Sequence, residues 1–273
     1  MLAIVLEKGD DKLLGALALQ KSKDFTVYLP ESDPAEADYE SQLHFKHGDW
    51  RRSEETLVCM LEPGAQPDTC FVKRILRTAR RHPDFDVYHV NPVGAKVFPR
   101  KAHPKDIFKL TLLENTPAPL SSFVFRSPRL REKAVFKADG KLDVIPTVIR
   151  CAQERPVRNV WRQQLTWNAP ASTQDPAAQQ SAILEKLDLF RWTEQFFGDD
   201  DYPLSVGDQL DLFAKEVAAL YPNYTVEELK ETMNGFQVAQ GPVRKLRAAN
   251  ALKAALKERQ KALSEVTAPA AEK

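Results

Sequence analysis

Leu2-Ala3-Ile4-Val5-Leu6, the leucines Leu13, Leu14 and Leu17 with Ala18, and Phe25-Thr26-Val27-Tyr28-Leu29 decide the fold class. The two outer runs have strand length and are rich in β-branched and aromatic residues, while the segment between them, Asp10 to Lys21, is apolar at helical spacing. Asp10 or Asp11 supplies an N-cap for that helix. Pro30 and the turn-prone Ser32-Asp33-Pro34 close the second strand. A strand, a helix and a strand in this order cross over right-handed into a parallel pair.

The pattern continues outward. Thr56-Leu57-Val58-Cys59-Met60-Leu61 is nearly continuous in apolar residues, as in a strand buried on both faces, and Glu62 to Asp68 reads as a loop. A helix over 68–81 follows, with Asp68 as its N-cap and Phe71, Ile75 and Leu76 inward. Strands are expected at 86–90, 121–125 and 157–161, and helices at 129–133 and 143–154, the latter with Pro146 in its first turn. Residues 35–55 show no decisive pattern, and 92–115 read as irregular and basic. Beyond a polar connector at 168–179 the pattern is helical only. Segments are expected at 177–197, from Ser205 with Asp208 three residues on, from Thr225 with Glu228, and at 243–265. Strand and helix alternation followed by helices alone predicts an α/β domain over 1–175, a helical C-terminal region over 176–266 and a disordered tail at 267–273.

Composition narrows the function. The 273 residues are 43% hydrophobic and 28% charged, a balance that supports a packed core. A formal net charge of +1 gives no general attraction to nucleic acid or anionic lipid. No apolar run is long enough to cross a bilayer, and the first run meets Glu7, Lys8, Asp10 and Asp11 too soon for a signal peptide. Cys59, Cys70 and Cys151 have no Cys-x-x-Cys spacing, and the histidines have no metal-ligand spacing. A cytoplasmic location is therefore expected.

In this order the segments resemble the nucleotide-binding half of the family 2 glycosyltransferases, the GT-A fold, over residues 1–175. Phe25 to Asp33 sits where that family has a strand ending in an acidic turn that contacts the nucleotide. Leu57 to Asp68 sits at its metal-binding strand end, and Arg80 to Tyr88 at its next helix-to-strand junction. Pro119 to Arg126 matches its acceptor-side strand, and Phe136 to Arg150 carries the place of its catalytic acid. The resemblance implies sugar transfer from a nucleotide-diphosphate sugar to a glycan or lipid-linked acceptor, as in polysaccharide biosynthesis. Ser32, Asp33 and Glu62 would be donor-side contacts, with Glu31 an equal candidate for the acidic turn, and Asp143 the general base. A divalent manganese or magnesium ion would accompany the active form.

The departures are specific. Glu62 is the sole carboxylate in the core of the metal motif, Gly64 and Ala65 stand where further carboxylates are expected, and Leu142-Asp143 replaces the usual adjacent Glu-Asp. No tight divalent-metal site is therefore expected at 62–68, because a hard cation needs several oxygen ligands. The alternative is a catalytically inactive GT-A-fold binding or scaffold protein acting through its helical tail.

Each candidate has a plainer reading. Asp143 is a base or a helix N-cap, Glu62 a ligand contact or a solvated loop carboxylate, and Ser32-Asp33 a donor contact or an Asx turn. Lys96, Arg100, Lys101 and Lys105 either offset a leaving diphosphate in place of a metal or line a solvated loop. In the last helix Leu246, Ala249, Leu252, Leu256 and Leu263 form a narrow seam beside basic residues, which lies on an anionic membrane surface, packs on the chain, joins a second copy or takes a partner protein; the lack of aromatic anchors favours packing or self-association.

Overall fold

The computed structural model describes residues 1–167 apart from 32–33, 53, 96, 114–117 and 138, selected positions between 185 and 231, and the helix Gly241–Thr267. The chain divides into two compact units, Met1–Pro170 and Ala171–Lys273.

In the first unit, nine strands among the described residues form one sheet of order β3-β2-β1-β4-β8-β6-β9-β5, with β7 also paired to β9. They are β1 (Leu2–Leu6), β2 (Phe25–Leu29), β3 (Phe45–His47), β4 (Leu57–Leu61), β5 (Ala65–Pro67), β6 (Val87–Pro92), β7 (Lys101–Ala102), β8 (Phe123–Arg126) and β9 (Val157–Trp167). β3, β2, β1 and β4 are parallel, with Leu2 opposite Phe25 and Leu57. β8 runs against both β4 and β6, and β9 is parallel to β6, so β6 and β9 point the same way as β1. β5 and β7 are antiparallel to β9. The expected grouping of 2–6, 25–29 and 57–61 holds, and their carboxyl ends share one rim. Because β8 is reversed, its beginning, the 3-10 turn Leu120–Ser122, lies on that same rim.

Helices flank the sheet. On one face Leu2, Ile4, Val27, Cys59, Val124, Tyr88 and Val160 pack with α1 (Asp11–Ala18) and α2 (Phe71–Arg81), which contribute Leu13, Leu14, Leu17, Phe71, Val72, Ile75 and Leu76. Asp10 caps α1, accepting from the backbone N–H groups of Lys12 and Leu13 at 2.9 and 3.2 Å. Such a cap contributes roughly 0.5–2 kcal/mol. The opposite side chains of the strands, among them Phe123, Phe125 and His89, are buried too. α3 (Pro104–Phe108), α4 (Ser127–Lys133) and α5 (Val144–Cys151) add Ile107, Phe108, Leu130, Val148 and Ile149 to the buried set.

Several boundaries differ from the sequence reading. Residues 35–55 hold β3 and two 3-10 turns, and 92–115 hold β7, α3 and the π turn Lys109–Leu113. Residues 65–67 are an edge strand rather than loop; Pro67 obscures it in the sequence and is tolerated because edge positions need fewer ladder donors. β9 runs to Trp167, not Trp161. Asp68 does not cap α2. Its carboxylate accepts from Cys70 N–H at 2.7 Å, an Asx turn one step upstream, and pairs with Arg74 at 3.2 Å.

His89 is fully buried, stacked on Phe98 at 3.9 Å between ring centroids, and both ring nitrogens lack a hydrogen-bond partner. Burial pushes its pKa down to about 3, and the nearby Asn159 amide opposes this only weakly. The folded protein thus holds this imidazole neutral while the unfolded chain protonates it near pH 6.5, so its contribution is lost as pH falls from about 6.5 towards 3. Stability should drop by about 1.4 kcal/mol per pH unit from this group across that window. Urea midpoints measured against pH should show a shallower acid limb in His89→Phe; an unchanged limb would mean that other groups set it.

In the second unit Thr225 and Glu228 form the expected reciprocal cap, with Thr225 N–H donating to Glu228 at 2.7 Å and Glu228 N–H to the Thr225 hydroxyl at 3.3 Å. Ser205 and Asp208 lie outside the described residues, as does most of 177–197. In α6 (Gly241–Thr267) the buried positions are Ala248, Ala251, Leu252 and Ala255, while Leu246 is 65% exposed. Of the seam expected from the sequence, Leu252 is fully buried, Ala249 and Leu256 are half-buried and Leu246 is exposed, while among the described side chains Ala248, Ala251 and Ala255 add to the buried stripe. No helix among the described residues is long and apolar enough to cross a membrane.

Candidate active site

The carboxyl ends of β1, β2, β3 and β4 meet the start of β8 on one rim, the place where open sheets of this kind bind ligands. At the end of β4, Glu62 and Ser121 form a reciprocal clamp. Glu62 N–H donates to the Ser121 hydroxyl oxygen at 2.7 Å, and a Glu62 carboxylate oxygen accepts from Ser121 N–H at 3.2 Å and lies 3.3 Å from its hydroxyl. Glu62 is half-buried, so it is neither a free loop carboxylate nor wholly inaccessible.

Pro63 and Gly64 then turn the chain. Ala65 N–H donates to Glu62 C=O at 3.1 Å and Gly64 has φ +85°, the signature of a type II turn. A side chain at position 64 would be strained in that conformation. Ala65 is buried in the core and begins β5. The donor set at this strand end therefore does not fit a divalent cation: the one carboxylate is engaged, the next position needs glycine, and the one after faces apolar side chains. Among the described residues no three His, Cys, Asp or Glu side chains converge.

Ser32 and Asp33 lie outside the described residues. Beside them Glu31 is exposed, and Glu36 is buried and ion-paired to His47 at 3.3 Å. Gly48, at φ +103°, donates its N–H to Leu29 C=O and turns the chain from β3 along the rim. β3 is pinned to β2 by buried Glu55, which accepts from Tyr28 hydroxyl at 2.7 Å and pairs with Lys46 at 3.3 Å. Burial alone would raise the Glu55 carboxyl, but these hydrogen bonds outweigh it and hold it low.

Asp143 sits at the N-cap position of α5, yet its side chain makes no capping hydrogen bond. The capping reading is corrected in that respect. Its N–H is committed to Val135 C=O at 2.7 Å, and the Thr147 hydroxyl accepts from Val135 N–H at 2.9 Å, so the local geometry is set by a strap rather than by the helix end. That strap is a short turn closed by Phe136 pairing with Leu142, with Gly140 at φ +81°. It reaches the rim twice. Lys141 pairs with Glu7, just after β1, at 3.5 Å, and the Phe136 ring lies under the Arg51 guanidinium at 4.8 Å. Arg51 is also held by Trp50 at 5.9 Å and by Asp49 at 3.6 Å.

Sequence reasoning missed Ser121, Arg51, Trp50 and Phe136. Ser121-Ser122 ahead of a strand was the one available signal for the clamp; nothing marked the others. Of the two readings of the basic cluster, the one at the leaving diphosphate does not hold for Arg100 and Lys101. Arg100 and Lys101 sit where β7 meets the beginning of β9, at the opposite rim, so they cannot reach a diphosphate beside Glu62. Lys96 lies outside the described residues, and Lys105 belongs to α3.

The chain matches no family model and no curated protein sequence. Its fold is similar to solved structures. Residues 1–349 of S. aureus TarS in complex with UDP align with a TM-score of 0.55 and 10% identity over 96% of this chain and 91% of that one. The same TarS segment in complex with UDP-GlcNAc aligns at 0.53 and 11%, over 96% and 92%. Mannosyltransferase PcManGT from Pyrobaculum calidifontis, in complex with GDP-Man and Mn2+, aligns at 0.50 and 13%, over 95% and 86%. At these identities the likeness establishes the GT-A type of fold.

Proposed function

We propose that the protein binds a nucleotide-diphosphate sugar at the carboxyl-end rim and transfers the sugar to a glycan or lipid-linked acceptor. The observation that carries this reading is the Glu62–Ser121 clamp, which ties the end of β4 to the start of β8 on that rim. The GT-A neighbours bound to UDP, UDP-GlcNAc and GDP-Man support it. In this reading Glu62, Ser32 and Asp33 contact the donor. The Asp143 carboxylate takes the proton from an acceptor hydroxyl, the freed oxygen attacks the anomeric carbon, and the bond to the diphosphate oxygen breaks with its electron pair. Fixed positive groups would offset the charge that develops on the leaving diphosphate, and Arg51, which the strap's Phe136 ring meets beside this rim, is one candidate.

A second reading rests on the Pro63-Gly64-Ala65 turn, which leaves the metal motif without further ligands. It makes the protein a binding or scaffold subunit of the same fold, with its C-terminal helices free to join a second copy or a partner.

Calorimetric titration with UDP and with GDP, each with manganese and with a chelator, tests both. Under either reading binding should be indifferent to the chelator. Binding that needs manganese and disappears in Glu62→Gln would show a working metal site and refute that expectation. Heat from neither nucleotide under any condition would remove the donor site itself.

A further inference from the structure

We propose that His82, Arg100, Lys101 and Arg158 form a second ligand site, an anion site for a phosphate group on the rim opposite Glu62. Arg158 and Lys101 are direct partners across the β7–β9 ladder, and both lie over the ring of Phe85, at 5.7 and 5.8 Å. Arg158 is only 7% exposed, and its Nε has no hydrogen-bond partner. His82 lies beside it: Nη2 is 3.1 Å from the ring Nε2, which can accept from a guanidinium only as the neutral tautomer protonated at Nδ1. Arg100 is adjacent in sequence to Lys101 and close enough for its charge to be felt at Arg158.

The contrast with neighbouring arginines is what makes this cluster unusual. At the same end of the sheet Arg129 is matched by Asp86, Glu132 and Glu154, and Arg80 by Asp24. Arg126 donates to Phe85 C=O and the Tyr88 hydroxyl. Among the described residues Arg100, Lys101 and Arg158 have no carboxylate within ion-pair distance, and Asp84, whose charge is felt at Arg158, is exposed and not paired with them. A buried guanidinium is costly unless an anion completes it. Burial and the Arg158 charge hold the His82 pKa below its usual value, and burial and Arg100 do the same to Arg158, with the Asp84 charge too small to reverse either. A planar fork beside a lysine point charge suits a tetrahedral oxyanion carrying more than one negative charge. That anion is a phosphate, either free or carried on a polymer.

Thermal unfolding of the full chain in sodium phosphate and in sodium chloride at matched ionic strength reads the site directly. At saturating phosphate the midpoint should rise by roughly 5 °C over chloride. The variant Arg100→Gln/Lys101→Gln changes only exposed side chains; it should keep its midpoint in chloride and lose the phosphate response. Arg158→Lys should weaken phosphate binding roughly tenfold by calorimetry; if that variant does not fold, the double variant decides. A response to linear polyphosphate well above that to inorganic phosphate would identify the polymer-borne source, and equal responses the free ion. An equal rise in chloride or acetate, or a response that survives in the double variant, would overturn the proposal.

Discussion

Phe123→Ala is expected to lose about 3–5 kcal/mol of stability, the usual cost of removing a fully buried aromatic side chain. Phe123 is completely buried on β8, with ring centroids 5.0 Å from His89, 6.4 Å from Phe98 and 6.3 Å from Phe125. β8 lies between β4 and β6 and cannot shift without disturbing both ladders. For a unit of this size the midpoint should fall by roughly 10 °C. The site should suffer as well, because Phe123 directly follows the Leu120–Ser122 turn that holds Glu62. Nucleotide affinity of the variant, measured where it is still folded, should drop. Leu19→Ala, at a position 69% exposed, is the control and should stay within about 0.5 kcal/mol of the parent. A Phe123→Ala loss below about 1 kcal/mol would mean that this face of the sheet repacks freely.

The legible part of the fold was the part whose signal is local. β1, α1, β2 and β4 announce themselves because their apolar residues are contiguous or helically spaced, and a parallel pair needs a crossover that the sequence displays. The reversal of β8 was not legible, since strand direction is settled by partners rather than by composition. That reversal brings Ser121 beside Glu62 across a separation of 59 residues. The α6 stripe was legible only in part: Leu252 is buried as expected, and Leu246 is exposed. The leucines and Ala249 suggested the seam, and Ala248, Ala251 and Ala255, which carry little hydrophobic signal in a sequence rich in alanine, are buried beside Leu252. The basic residues of 92–105 looked like one loop cluster, while pairing of β7 with β9 carries Arg100 and Lys101 to the far rim. Asp143 looked like a cap because it precedes a helix with proline in its first turn. Val135 instead fixes that turn, accepting from Asp143 N–H and donating to the Thr147 hydroxyl, an arrangement no local rule anticipates.

Because the Asp143 side chain makes no capping hydrogen bond to α5, Asp143→Asn tests the enzyme reading without removing a helix cap. Asparagine keeps the shape and most hydrogen-bonding capacity but cannot take a proton at neutral pH. An acceptor hydroxyl is a poor nucleophile until a base accepts its proton, and that help is typically worth roughly 10²–10⁴ in rate. Turnover of Asp143→Asn should fall by about that factor, with donor affinity by calorimetry nearly unchanged, because a base acts in the transition state and not on the bound donor. Urea unfolding of the variant separates a loss of turnover from a loss of fold. The two readings then separate. If the variant transfers sugar as fast as the parent, Asp143 is not the base. If neither parent nor variant shows transfer or donor hydrolysis across a panel of nucleotide sugars, while UDP or GDP still binds, the rim is a binding site and the protein is the scaffold of the second reading. A fall in donor affinity that accounts for the whole loss would place Asp143 among the donor contacts instead.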